Sequence, residues 1–251
     1  MSKGTILITG ASSGLGEEMS RQFAELGYDL ALCARRTDRL DALKAEIAAA
    51  HPDRRVELKA LDVNDDDAVF RVFKEFAAEF GSIDRVIINA GLGKGAPLGT
   101  GRYDANRQTA MTNFVAALAQ TEAAMEIFRA QKSGHLVMIS SISALRGMRK
   151  TITTYAATKA GVAALAEGLL NENVKKKGID VSIIYPGYIR SEMNEKVAQK
   201  AKFMVDTKTG VKSMVAAIEK RKEKAYVPAW PWVPIGFVLK NAPMSVVRRT
   251  F

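Results

Sequence analysis

The sequence predicts an α/β protein built on a doubly wound parallel sheet, and three observations carry that prediction. Short β-branched runs alternate with segments of helical period from residue 5 to residue 185, the order that βαβ units require. The first run ends in a glycine-rich turn that opens a helix. No linker, repeat or low-complexity tract breaks the alternation, so residues 1–251 read as one domain.

Thr5–Thr9 (TILIT) is a β-branched run halted by Gly10, the pattern of a buried strand. Residues 14–26 follow with Leu15, Met19, Phe23 and Leu26 on one helical face. Residues 28–34 read as a second strand and 38–50 as a helix beginning near Thr37. A third strand spans 56–61, an acid-started helix 65–80, and a fourth strand 85–89. Beyond a glycine-rich loop, the alanine-rich stretch 103–131 reads as one long helix. Strand 135–140, helix 154–175 and strand 180–185 complete the alternation. Helices are expected on both faces of such a sheet.

A hydrophobic fraction of 47% and a charged fraction of 25% over 251 residues are ordinary for a globular protein. The formal net charge is +10, from 37 Lys and Arg against 27 Asp and Glu. These cations are dispersed. The densest group, Lys220, Arg221, Lys222 and Lys224, reads as a solvated helix face, so no nucleic-acid partner is expected. Cys33 is the only cysteine, which excludes an intrachain disulfide and suits a reducing compartment. No signal-type apolar segment follows Met1, and no run reaches the ~20 apolar residues that span a bilayer. A cytoplasmic location is the expectation.

Chemistry concentrates at Tyr155 and Lys159, four residues apart in a helical run and therefore on one face. A neighbouring ammonium favours phenolate and is expected to lower the phenol pKa from its usual value of about 10. An acid whose pKa lies near the working pH transfers protons efficiently. A Tyr-x-x-x-Lys match alone is weak, and a half-buried tyrosine beside a solvated lysine is the plain alternative.

The turn Gly10-Ala11-Ser12-Ser13-Gly14-Leu15-Gly16, between strand and helix, has the context of a dinucleotide-binding loop. Its glycines permit close backbone approach to a pyrophosphate resting on the positive end of the helix. At the end of the second strand, Leu32-Cys33-Ala34-Arg35-Arg36 offers no carboxylate before Asp38. Guanidinium groups there suit the 2′-phosphate of NADP(H), with Arg35 as principal contact and Arg36, Ser12 or Ser13 assisting.

Thr9, Gly10, Gly14 and Gly16 form T-G-x-x-x-G-x-G; Asn89-Ala90-Gly91 ends the fourth strand; Asn113 lies in the long helix. Ser141, Tyr155 and Lys159 follow, then Pro186-Gly187. In this order, over about three quarters of the chain, the motifs resemble the short-chain dehydrogenase/reductase family. That resemblance implies a Rossmann-like sheet of about seven strands, with Asp62 and Val63 flanking an adenine. Asn89, with Ala90 and Gly91, would lie against the adenosine ribose, and Lys159 would bind the nicotinamide ribose. Ser141 would hydrogen-bond the substrate oxygen, Tyr155 would act as general acid/base, and Asn113 would anchor a water leading to Lys159. Pro186, Gly187, Ile189 and Ser191 correspond to P-G-x-x-x-T with serine for threonine, a contact to carboxamide or phosphates or, alternatively, a helix cap.

Ser141 lies 14 positions before Tyr155, one more than is common in the family, which leaves Ser140 and Ser143 as neighbouring candidates. An insertion within residues 147–151 would absorb the difference. Residues 191–210 read as a mobile amphipathic substrate lid. Residues 226–251 read as an apolar tail in which prolines forbid a continuous helix across 228–234. The tail suits a membrane interface, a greasy substrate mouth, or packing onto the protein's own body or a sister subunit. The resemblance thus implies hydride transfer between NADP(H) and a hydrophobic, lipid-like carbonyl or secondary alcohol, in a homodimer or homotetramer. The competing readings are a catalytically silent NADP-binding sensor or scaffold, and a membrane-surface lipid-binding protein.

Overall fold

The computed structural model describes residues 2–193 and 203–250. Its first strand, β1 (Thr5–Thr9), is buried along its whole length, as a short apolar run covered on both faces must be. The others are β2 (Asp29–Ala34), β3 (Val56–Ala60), β4 (Arg85–Ile88), β5 (Gly134–Ile139), β6 (Ile179–Pro186) and β7 (Lys224–Val227). They form a seven-stranded sheet in the order β3-β2-β1-β4-β5-β6-β7, with every neighbouring pair parallel. This is a Rossmann-like doubly wound sheet. Strand order reverses between β1 and β4, so a crevice opens beyond their carboxyl ends.

Alternate residues of each strand serve different layers. Leu7 joins a cluster with Phe73 and Phe76 of α3 (Asp66–Phe80), Phe128 of α5 (Ala116–Gln131) and Ala166 of α6 (Thr153–Asn171). Ile6 and Ile8 face the other way, onto Phe23 of α1 (Gly14–Glu25), Leu40 of α2 (Thr37–Ala50) and Met214 of α7 (Thr207–Glu219). Each fully buried side chain of this size contributes roughly 1.5–3 kcal/mol relative to exposure. Helix starts are set locally. Asp65 caps α3 by accepting from the Ala68 amide at 3.0 Å, and Asp206 caps α7 by accepting from the Thr209 amide at 2.8 Å.

Three expectations need correction. The long helix 103–131 is α4 (Tyr103–Ala110) running into α5 through a π-helical turn at Met111–Val115. The helix expected over 154–175 ends at Asn171, because Asn173 adopts a left-handed conformation (φ 54°) and starts a separate 3-10 turn. The tail forms α8 (Ala229–Asn241) and α9 (Met244–Thr250), whereas Tyr226 and Val227 belong to β7. The proline argument holds at Trp230, whose φ and ψ of −100° and 132° break the helix. The helix resumes at Pro231, and Pro234 lies near its start, where losing one amide donor costs least.

Residues 194–202 of the expected lid lie outside the described residues. Its ends are fixed: Arg190 donates its amide to the Val205 carbonyl (2.9 Å), and Val205 donates to that of Tyr188 (3.1 Å). The span expected as a lid overlaps α7 at its end, since residues 207–210 are the first turn of that helix.

Candidate active site

A cleft of about 250 Å³ opens at the carboxyl ends of β1, β4, β5 and β6. The turn after β1 forms one wall. Gly16 packs against it so closely that a Cβ would overlap the Gly10 carbonyl oxygen, which fixes the start of α1 beneath the loop. Gly10, Ser12, Ser13, Gly14 and Leu15 line the cleft; Gly16 stands one step behind. The first-turn amides of α1 have no intrahelical partner and make an anion seat.

At the end of β2 the two arginines differ. Arg35 is exposed, its guanidinium 3.9 Å from Asp62. Arg36 donates to Ser13 Oγ at 2.6 Å, to Ser12 Oγ at 3.3 Å and to Glu192 at 3.1 Å. It is therefore Arg36, more than Arg35, that is built into the glycine turn. Glu192 also pairs with Arg39, and this double pairing holds its carboxyl below the usual range, the Arg39 hydrogen bond being the larger cause. Asp62 is an Asx-turn residue that accepts from the amide (3.0 Å) and side chain (2.8 Å) of Asn64; the helix cap is Asp65. Asp62 and Val63 line the cleft, as do Asn89, Ala90 and Gly91. Asn89 ties β4 to the first turn by donating to the carbonyls of Thr9 (3.0 Å) and Gly10 (3.3 Å).

The other end of the cleft holds Ser141, Tyr155 and Lys159. Lys159 is buried and donates to the Ile139 carbonyl at 2.8 Å, while Ser140 donates its hydroxyl to the Lys159 carbonyl at 2.8 Å. These two bonds pin α6 to the end of β5 and distinguish the environments of the serines. The Ser140 hydrogen is committed to the backbone. Ser141 stands near enough to the Tyr155 phenol to draw its pKa down, and Ser143 lies behind it at 2.8 Å, Oγ to Oγ. Between Ser141 and Tyr155 the loop turns at Lys150, whose φ is 58°.

One electrostatic expectation is overturned. Burial pushes the Tyr155 phenol above its ordinary value, more than Ser141 draws it down. Lys159 does not hold it low, because the ammonium is directed at Ile139 and is itself brought down to about 8 by burial. The phenol is thus protonated near neutral pH, the form that can donate.

Asn113 lies in the π turn and outside the cleft lining. Its amide accepts from the Leu92 N–H (2.6 Å) and donates to the Leu92 carbonyl (2.9 Å) and Thr158 Oγ1 (3.3 Å). Thr158 in turn donates to the Tyr155 carbonyl at 2.7 Å, so Asn113 links the loop after β4 to the helix bearing the phenol. Pro186, Gly187, Ile189 and Ser191 line the cleft beside Glu192 and Met193. Asn64, Leu92 and Thr112 also line it and were not read as site residues from the sequence, since none belongs to a motif of recognisable spacing; Glu192 and Met193, which line it too, fall in the span read as a lid. No group of metal-ligating side chains occurs among the described residues.

A glycine turn over a helix start thus faces a serine, a tyrosine and a lysine across one cleft of a doubly wound sheet. Residues 4–202 match the family model for short chain dehydrogenase, and the chain belongs to that family. An uncharacterized oxidoreductase of Mycobacterium tuberculosis is 52% identical over 244 residues, 97% of this chain and 96% of that one. A short-chain dehydrogenase from Sphingobium yanoikuyae, solved in complex with NADPH, superposes with a TM-score of 0.83 at 25% identity, covering 99% and 96% of the two chains. One from Burkholderia phymatum, in complex with NAD, shares the fold at a TM-score of 0.84 and 18% identity, covering 99% and 95%. Members of the family use a nicotinamide cofactor and act on small molecules.

Proposed function

We propose that this oxidoreductase uses NADP(H) to interconvert the carbonyl and secondary-alcohol forms of a hydrophobic substrate, with Tyr155 as general acid/base. One observation carries the reading: Ser141, Tyr155 and Lys159 line the same cleft as Arg35, Arg36 and the glycine turn. The lining fits a dinucleotide in chemistry as well as position. Helix-start amides and two guanidiniums suit phosphates, and carboxamide and hydroxyl groups at Asn89 and Ser191 suit ribose and carboxamide. Asp62, beside Val63, is placed for the adenine end. When bound, the nicotinamide supplies or accepts the hydride.

The protein's own residues do the rest. Ser141 and Tyr155 hold the substrate oxygen between two hydroxyls, and the Tyr155 proton moves to that oxygen as negative charge develops there. Lys159 is placed to hold the nicotinamide ribose. Asn113 acts on the helix that carries Tyr155 rather than on substrate. Like many sheets of this class, the molecule works as a homodimer or homotetramer, and as a single domain spanning residues 1–251.

Calorimetric titration is expected to give tighter binding of NADPH than NADH. Equal affinities, or an NADH preference, would remove the argument from the arginines. Tyr155→Phe should lower turnover of a carbonyl panel by about 10²–10⁴-fold while NADPH affinity stays within about twofold. Retained turnover in that variant would end the proton-transfer role.

A further inference from the structure

We propose that the outward face of α8, with the cationic loop beside it, is a docking surface for an anionic lipid bilayer. The helix is apolar on both sides. Inward, Trp232 and Leu239 pack with Ile142 and Val247, and Trp232 lies so close over Gly187 that a Cβ there would overlap the indole. Outward, Trp230 is 78% exposed and Phe237 71%, with Val233 and Val238 beside them. A helix that covers a globular core usually turns charged residues outward. Here Lys240 is the one charged residue of the helix, with the neutral Asn241 beside it. An exposed apolar patch with a polar rim marks a contact surface.

The rim supplies the second, independent observation. Residues 140–153 and 228–251 contain no Asp or Glu. Arg149, Lys150, Lys240 and Arg248 are all exposed, and none is paired with a carboxylate among the described residues. Elsewhere some exposed cations pair among the described residues, as Arg129 does with Glu172 and Lys224 with Glu167, and others such as Lys176 and Lys222 do not; what sets this rim apart is that the segments forming it carry no Asp or Glu at all. Arg149 donates to the Arg248 carbonyl at 3.4 Å, which brings the loop cations up to α9. Aromatic and aliphatic side chains projecting beyond a ring of unpaired cations match the boundary between acyl chains and anionic headgroups. A second copy of the chain matches less well, because a twofold contact would set this rim of cations against itself. No described helix is long and apolar enough to cross a membrane, so the contact is superficial.

The surface adjoins the cleft. Trp232 meets Tyr188 edge-on, 5.2 Å between ring centroids, and Tyr188 acts electrostatically on Tyr155. A lipid-dissolved substrate would therefore meet the site without crossing water. The docking surface does not depend on the redox reading, and its test needs no substrate.

Full-length protein would be floated with vesicles of phosphatidylcholine alone and of phosphatidylcholine mixed with phosphatidylglycerol. Flotation is expected only with the mixed vesicles, accompanied by a blue shift of tryptophan emission. Trp230→Ser with Phe237→Ser should reduce partitioning by about tenfold or more, and Lys240→Glu with Arg248→Glu, a surface change that spares packing, should do the same. Unchanged NADPH affinity and melting temperature would establish that the variants fold. The proposal is overturned by absence of flotation, by equal flotation on both vesicle types, or by variants that float like the parent. A fall in sedimenting mass in either variant would also overturn it, since the face would then join two copies.

Discussion

Lys159 is the residue whose surroundings set a pH window. Its ammonium is buried against the Ile139 carbonyl and titrates at about 8, below its ordinary 10.5. A charged Lys159 donates three hydrogen bonds, and a neutral one gives up both charge and a donor. Affinity for NADPH should therefore decline as pH rises through about 8, whereas Lys159→Arg, which stays protonated, should bind with no inflection there. Fluorescence titrations at a series of pH values check this; a flat profile for the parent protein would remove Lys159 from cofactor binding. Both Tyr155 and Lys159 were legible in the sequence, because helical period alone places them on one face. Their electrostatics were not, since burial, which raises one pKa and lowers the other, is a property of the assembled cleft. Glu192 was hidden for a related reason: its partners Arg36 and Arg39 lie 156 and 153 residues away along the chain.

At the scale of elements, hydrophobic period and turn residues located six strands to within a residue or so, because buried parallel strands are short and largely apolar; of these only β3 (VELKA), partly exposed, departs from that pattern. What stayed hidden depends on context. The π turn at Met111–Val115 has no sequence signature, since an ordinary alanine-rich helix reads the same way. Strand β7, four residues with an exposed first position, is too short for its period to register. The π turn matters through Asn113, whose amide serves the Leu92 backbone on one side and Thr158 on the other. Asn113→Ala would leave the part-buried N–H and C=O of Leu92 without their side-chain partner. A fully buried unsatisfied group costs about 1–3 kcal/mol and water reaches these two in part, so a total loss of about 1–3 kcal/mol is expected from urea unfolding, with turnover reduced more than cofactor affinity. A variant as stable as the parent would mean that the loop after β4 is held by other contacts.

The molecule as a whole divides its polar investments between the two ends of the sheet. The carboxyl end carries the cleft. Toward the amino end, α7 and the sheet are joined by a buried network: Arg85 donates to Glu219 at 2.7 Å and to His135 Nδ1 at 3.0 Å. Because an arginine N–H can only donate, Nδ1 must be the bare nitrogen, and Nε2–H faces Ser182 Oγ at 2.8 Å. Burial first, then the Arg85 and Arg221 charges, brings His135 down to about 3 from its ordinary 6.5. Between these values the unfolded chain holds a proton that the native one lacks, so this contribution is complete above about pH 6.5 and is lost as pH falls toward 3. The slope is at most about 1.4 kcal/mol per pH unit from this one group. His135→Gln keeps an acceptor for Arg85 and a donor for Ser182 but cannot titrate. It should start less stable at pH 7 yet lose stability less steeply on acidification, as urea midpoints from about pH 7 to 4 would show. Parallel slopes for parent and variant would place acid sensitivity elsewhere. NADPH affinity should be the same in both, since the network stands at the opposite end of the strands from the cleft.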